Sequence, residues 1–241
     1  MINLLKVELK TLFKWKATRY TIIFLVLLAA LISGMNVLNE EPAMSGIFTF
    51  PAVILLIISA IGGLFMYQDY SQNTIRNKIV IGHSRLEIYL AKTITILILH
   101  LLSVVAFMLV FGGIGYFCLD AEYVVWEAFW KNCVIVLSST LVVSVLTSMI
   151  SINIKSPLGG LLPMMFVSSI LFGGILGMEI LSINGPEWAM KALQIIPVTC
   201  MITVSEIFIP ENICEIIVLG TILTVVFVAL GYLIFRKSDL K

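Results

Sequence analysis

The feature that most constrains this chain is a recurrence of apolar runs, each about as long as a bilayer is thick. They fall at roughly 18–38, 47–67, 92–117, 130–152, 158–180 and 214–235. A helix of about 20 apolar residues spans the hydrocarbon layer. The expected fold is therefore an all-α membrane protein with six transmembrane helices, forming a single transmembrane domain over 1–241. With 60% hydrophobic and only 12% charged residues, the chain has the composition of a membrane protein.

Charge placement tests the count. Six spans put both ends on one side. If that side is the cytoplasm, the inside segments hold every lysine and arginine except Lys131 and Lys191. Most acids do the reverse, including Glu40, Glu41, Asp120, Glu122, Glu127, Glu179, Glu187, Glu206, Glu211 and Glu215. The positive-inside rule supports this orientation. The basic start is expected to be retained, because the run after it is long enough to span and no small-x-small cleavage site stands out.

Residues 1–16 have helical spacing. Lys6, Lys10 and Lys14 recur on one face, and Leu5, Leu9, Leu12 and Phe13 form another, near Trp15. This pattern predicts an amphipathic helix in the cytoplasmic interface, its basic side toward lipid head groups; the alternative is an extension of the first span. Trp188 to Phe208 is also apolar and nearly long enough to cross, but Pro197 breaks a helix at its middle. A crossing there would put Arg236 and Lys237 outside. The region 182–213 is therefore read as a re-entrant helical hairpin dipping in from outside, with Pro197 as a candidate extracellular gate. An amphipathic pair lying on the outer surface is the alternative.

The least membrane-like interior stretch is DYSQNTIRNKIVIGHSRLEIYLAK, Asp69 to Lys92. Asp69 or Ser71 is expected to cap a short helix that Gly82 ends. Ser84 and Glu87 then form a capping box that opens a helix running into the third span. Ile75 and Ile79 share a face of the short helix, while Arg76, Asn77 and Lys78 offer donors elsewhere. A solvated loop that only fixes topology needs neither two capped helices nor this length. A short rigid helix at that place suits docking to a soluble partner.

This stretch resembles the cytoplasmic coupling loop of ABC transporter permeases of the type-2 exporter family. The counterparts are Asp69, Asn73-Thr74, Arg76 to Lys78, Gly82-His83-Ser84-Arg85 and Lys92. Asn73 stands where that family commonly has Gly, and Asp69 where Glu is frequent. The resemblance covers nearly the whole chain: an amphipathic start, six spans, a coupling loop at 68–91 and a proline-broken dip before the last span. It implies a dimer of permease subunits, identical or related, with two ATP-binding subunits docked below. Asp69, Thr74, Ile75, Arg76, Lys78, Ile79 and Arg85 would then form the docking helix. No G-x-x-x-x-G-K-[ST] loop occurs in the chain. ATP and Mg would thus be bound by the partner, and this chain is not expected to be an enzyme by itself. No cofactor, metal site or nucleic-acid partner is expected in it.

Inside the spans, His100 is the one ionisable side chain far from either end, and an ionisable residue at that depth is a functional candidate. A neutral histidine bonded to a neighbouring helix is equally consistent. Thr140, Ser144, Thr147, Ser148 and Ser151 form one helical stripe, suited to close helix packing or to a mildly polar path. Gly173 and Gly177 make a small-xxx-small pattern that suits a permease–permease contact, and Pro163 is a candidate kink. The four cysteines are scattered and read as small apolar residues, with a Cys200–Cys214 bridge as the alternative. No carboxylate pair sits at mid-membrane, which favours an external energy source and an apolar or amphipathic substrate. Expected functions are export of a hydrophobic or amphipathic peptide, including toxin or antimicrobial-peptide immunity, or drug and antibiotic efflux. The expected location is the bacterial plasma membrane with both termini cytoplasmic. An ATP-independent secondary transporter would want a charge relay or an inverted repeat, and neither is evident. An intramembrane enzyme would want clustered His, Asp or Glu.

Overall fold

The computed structural model describes residues 1–38, 47–48, 50–118, 126–154, 156–203 and 212–238. The expected outside acids Glu40, Glu41, Asp120, Glu122, Glu206 and Glu211, the inside Lys155 and Lys241, and residues 204–211 of the expected hairpin lie outside them.

All regular structure among the described residues is helical: α1 (Ile2–Lys14), α2 (Lys16–Leu38), α3 (Phe50–Ser71), α4 (Thr74–Val80), α5 (Arg85–Cys118), α6 (Trp126–Asn153), α7 (Pro157–Asn184), α8 (Glu187–Ile195), α9 (Pro197–Thr203) and α10 (Ile213–Lys237). Six of them, α2, α3, α5, α6, α7 and α10, are long and apolar enough to cross a membrane. Each coincides with one of the six apolar runs, extended by a few residues at one or both ends.

The breaks between helices have local causes. Trp15 is extended (φ −67°, ψ 125°), so α1 is a separate helix and not an extension of the first span. Asn73 takes a left-handed conformation (φ 54°), which asparagine tolerates, and turns the chain into α4. Gly82 at φ 105° ends that turn, a conformation open to glycine and strained for other residues. Pro197 pushes Ile196 out of the helical region (ψ 119°) and so separates α8 from α9.

The bundle has a buried centre of α3, α5 and α6, with α2, α7 and α10 around it. α3 crosses α7 at Gly63 and Gly160, where a side chain on Gly63 would run into the Gly160 carbonyl. Small residues here let two backbones approach closely in an apolar medium, where packing replaces the hydrophobic effect as the cohesive force. One apolar core, with Leu55, Ile58, Phe107, Phe111, Val143 and Leu171, fills most of the bundle. A second, with Leu4, Leu12, Phe65, Ile75, Ile88 and Phe235, sits at one end and binds α1 and α4 to it. Tyr70 donates its hydroxyl to the Ile152 carbonyl, and Asn153 Nδ2 donates to the Gly231 carbonyl at 3.3 Å. These bonds bring the ends of α3, α6 and α10 together at the α4 end. By alternation of direction, α8 and α9 follow α7 at the opposite end.

Candidate functional site

At the α4 end, four charged side chains from four helices meet. Glu8 of α1 and Asp69 of α3 are 2% and 7% exposed, and Lys92 of α5 is fully buried. Lys92 Nζ pairs with Glu8 Oε2 at 2.5 Å and with Asp69 Oδ2. Lys78 of α4 pairs with Glu8 Oε1 and, at 3.4 Å, with Asp69 Oδ2. Lys92 also lies 4.5 Å from the centroid of the Phe65 ring, a cation–π contact that desolvation strengthens. Two carboxylates and two ammonium groups balance, so each buried charge has an opposite neighbour. Removing one of them would leave an uncompensated buried charge, which costs far more than the intact cluster contributes. The cluster ties α1 and α4 to α3 and α5.

Sequence reasoning missed Glu8. The signal was present, because Glu8 lies one turn from Leu4 and one from Leu12, on the apolar face of an otherwise basic helix. Leu4 and Leu12 are buried with it, while Lys6, Lys10 and Lys14 are exposed as the spacing predicts.

The structure redistributes the residues expected to dock a partner. Asp69 is not a cap. α3 runs on to Ser71, so Asp69 still lies inside a helix and its carboxylate serves the cluster. Ser71 donates back to the Gln68 carbonyl, and Thr74 Oγ1 donates to the Asp69 carbonyl at 3.1 Å. Ile75 is 2% exposed, and Ile79 is half-buried against the same core. Arg85 Nη1 donates to the carbonyls of Arg236 (2.6 Å) and Ser238 (2.9 Å), placing a cation at the C-terminus of α10, where the helix dipole favours it. Of the expected docking residues, Arg76 alone is fully turned outward. Beside it stand Asn77, Val80 at 79% exposure and Ile81 at 78%. The capping box forms as expected: the Ser84 N–H donates to Glu87 Oε2, and the Glu87 N–H donates to Ser84 Oγ, both at 3.2 Å.

The expected path residues are enclosed. His100, Thr140, Ser144, Thr147, Ser148 and Ser151 are all fully buried within this one chain. His100 Nδ1 lies 2.8 Å from Ser144 Oγ, which joins α5 to α6. Thr140, Ser144 and Ser148 donate to carbonyls of their own helix, the usual arrangement for hydroxyls within a membrane helix. Gly62 leaves room for His100 and Thr147, whose atoms would touch a side chain there at 3.4 Å. The stripe packs against α5 through His100 and against α3 at Gly62.

At the opposite end, Ser139 Oγ donates to the Pro197 carbonyl at 2.6 Å. Ser139 lies about 15 Å along α6 from Phe129, at 1.5 Å per residue. α9 is buried at Val198, Thr199, Cys200 and Met201, whereas most described residues of α8 are exposed. Gly174 seats Thr199 and Gly177 seats Leu193, so this small-residue patch of α7 receives α8 and α9, while Gly173 faces open space. Cys200 and Cys214 are unbridged. Beneath α8 and α9, between α6, α7 and α10, lies a cavity of about 580 Å³. Every residue lining it is apolar, among them Val142, Leu146, Val167, Ile196, Leu223 and Phe227.

No group of three His, Cys, Asp or Glu able to hold a metal occurs among the described residues. No curated protein gives a significant match to the chain. A family model described as protein of unknown function (DUF2705) matches residues 16–241. That match covers the six spans, α4, α8 and α9, and the chain belongs to the DUF2705 family.

Proposed function

We propose that this protein is the membrane-spanning permease subunit of an ATP-driven exporter, working in the bacterial plasma membrane with both ends of the chain in the cytoplasm. The observation that carries the reading is the face of α4. Arg76, Asn77, Val80 and Ile81 project from a helix that is held from behind by Lys78 and Ile75 and bounded by Asn73 and Gly82. Two aliphatic side chains about four-fifths exposed, beside a cation and in a segment too polar for hydrocarbon, offer a partner both apolar and charged contact. The cluster behind them makes α4 stiff. A push on it is passed to α3 through Asp69, to α5 through Lys92 and to α1 through Glu8. The partner is a soluble ATP-binding subunit, two copies per pair of permease subunits, and it carries the ATP and Mg.

In this reading α1 lies along the cytoplasmic interface with its lysines toward lipid head groups, and α8 and α9 are the two arms of a re-entrant hairpin. The depth at which Ser139 receives the Pro197 carbonyl supports the hairpin. Within the chain the polar stripe is buried and the cavity beneath α8 and α9 is lined by apolar residues alone, which favours a hydrophobic or amphipathic cargo, such as a peptide or an antibiotic. The test is purification in mild detergent from native membranes, with identification of what co-purifies. Arg76→Glu with Ile81→Glu changes only outward-facing side chains, so it should release an ATP-binding protein while leaving the fold intact. Co-purification that survives this double change would show that α4 is not the docking surface.

A further inference from the structure

The cavity under α8 and α9, which the transport reading takes only as a guide to cargo chemistry, points to a ligand of its own. We infer that it holds the alkyl chain of an anionic amphiphile, whose head group lies at Lys191.

Three observations carry this. Along α10 the lining runs from Leu219 to Phe227, about 12 Å at 1.5 Å per residue, and it includes Ile196 at the α8–α9 break. Its lining offers no hydrogen-bonding side chain, so water has nothing to bind there. Its volume of about 580 Å³ lies within the range of ligand pockets. An empty space of that size forfeits dispersion contacts on every wall, and α7 and α10 border it with outward faces that are themselves apolar and exposed. Hydrocarbon is the filler that this surrounding supplies.

The second half of the ligand follows from α8. Ala192 and Ile195 line the cavity mouth. Lys191 is exposed, adjacent to the first of these and one turn before the second, and Trp188 is exposed one turn before Ala192. A tryptophan and a lysine one turn apart, on a helix that also carries Glu187 and Gln194, make an interfacial anchor pair. Lys191 is also one of two basic residues in the outside segments. Moving an alkyl chain from bilayer to cavity exchanges one apolar surrounding for another, so the hydrophobic effect gives little selectivity. Selectivity for this site over bulk lipid must come from the head group, and an ammonium at the mouth selects a negative one. Two sources share this chemistry: an anionic phospholipid of the bilayer, and a free single-chain amphiphile such as a fatty acid. The inference does not depend on an ATPase partner.

The test uses the full chain in phosphatidylcholine nanodiscs with two photoactivatable probes, each carrying a diazirine near the end of an alkyl chain. One probe is phosphatidylglycerol, and the other is palmitate. After irradiation, labelled residues are mapped by mass spectrometry. The expected result is labelling of inward residues Val142, Leu146, Leu223 and Phe227 by at least one probe. Phosphatidylglycerol alone would identify a bilayer lipid as the ligand, and palmitate alone a free amphiphile. Lys191→Gln, on an exposed surface, should lower labelling of the inward set roughly fivefold and leave the outward residues Val218, Ile222 and Val225 unchanged. A phosphatidylcholine probe should match that reduced level. Leu223→Phe, which fills space, should also lower it. Labelling confined to outward residues with both probes overturns the inference, as it would if a second copy or another segment of this chain fills the space. Equal inward labelling with and without the Lys191 charge overturns the head-group assignment.

Discussion

Replacing Lys92 by Met tests the charge cluster most sharply. Methionine keeps much of the length and the apolar stem of lysine, so the packing of α5 survives, while the cation–π contact to Phe65 goes with the ammonium. What is lost is the fully buried ammonium that touches both Glu8 and Asp69. Those carboxylates, 2% and 7% exposed, are left to share Lys78, which reaches Asp69 only at 3.4 Å. Breaking a buried pair by removing one partner costs about 3–5 kcal/mol. α1 has a small apolar hold on the bundle, through Leu4 and Leu12, so it should be released. If about 3 kcal/mol of the loss falls on α1, its local opening becomes about a hundred times more frequent, at 1.4 kcal/mol per tenfold. Hydrogen exchange of the Ile2–Lys14 amides in nanodiscs reads this directly. Adding Glu8→Gln removes the orphaned charge and should recover about 1–3 kcal/mol, because residues in one ion network are not additive. Lys78→Met should cost less than Lys92→Met, since Lys92 still spans both carboxylates. Exchange in α1 that is unchanged by Lys92→Met, or a double variant whose loss is the sum of the two single losses, would refute the reasoning.

Other changes probe other joints. Gly63→Ala forces α3 and α7 apart at their closest crossing and should cost about 1–3 kcal/mol, seen as a lower midpoint of thermal unfolding in detergent. Gly82→Ala places a side chain at φ 105° and should cost about 1–3 kcal/mol, with faster exchange at Ile81 and His83 and weaker retention of an ATP-binding partner. Arg85→Gln removes the cation from the α10 terminus and should cost about 0.3–1 kcal/mol, with exchange rising only over Tyr232–Ser238. Ser139→Ala frees the Pro197 carbonyl and should speed maleimide modification of Cys200, which is 2% exposed.

Much of the architecture was legible because the bilayer imposes length and composition on each span. The runs, the capping box at Ser84 and Glu87, the stop at Gly82 and the break at Pro197 each depend on a few adjacent residues, so reading along the chain finds them. The charge cluster is different. Glu8, Asp69, Lys78 and Lys92 lie on four helices, and no local pattern says that they meet. Lys78 and Arg85 looked like donors for a partner because basic residues in a polar loop usually face water. In the fold, Lys78 turns back to Glu8, and Arg85 turns to the end of α10. Ile75 and Ile79 share a face as their spacing requires, but that face is the inner one. The spacing of the Ser/Thr stripe showed a shared face too, yet only the packing of α3 and α5 onto α6 shows that the face is closed. The apolar cavity has no sequence signature at all, since its lining residues are those of any membrane core.

The measurement that tests the central claim most directly is identification of what leaves native membranes with this chain in mild detergent. The account predicts an ATP-binding protein that is lost on combining Arg76→Glu with Ile81→Glu and retained on changing exposed residues at the opposite end, such as Trp188. A chain that comes out alone, folded, and moves substrate in vesicles without ATP would contradict it.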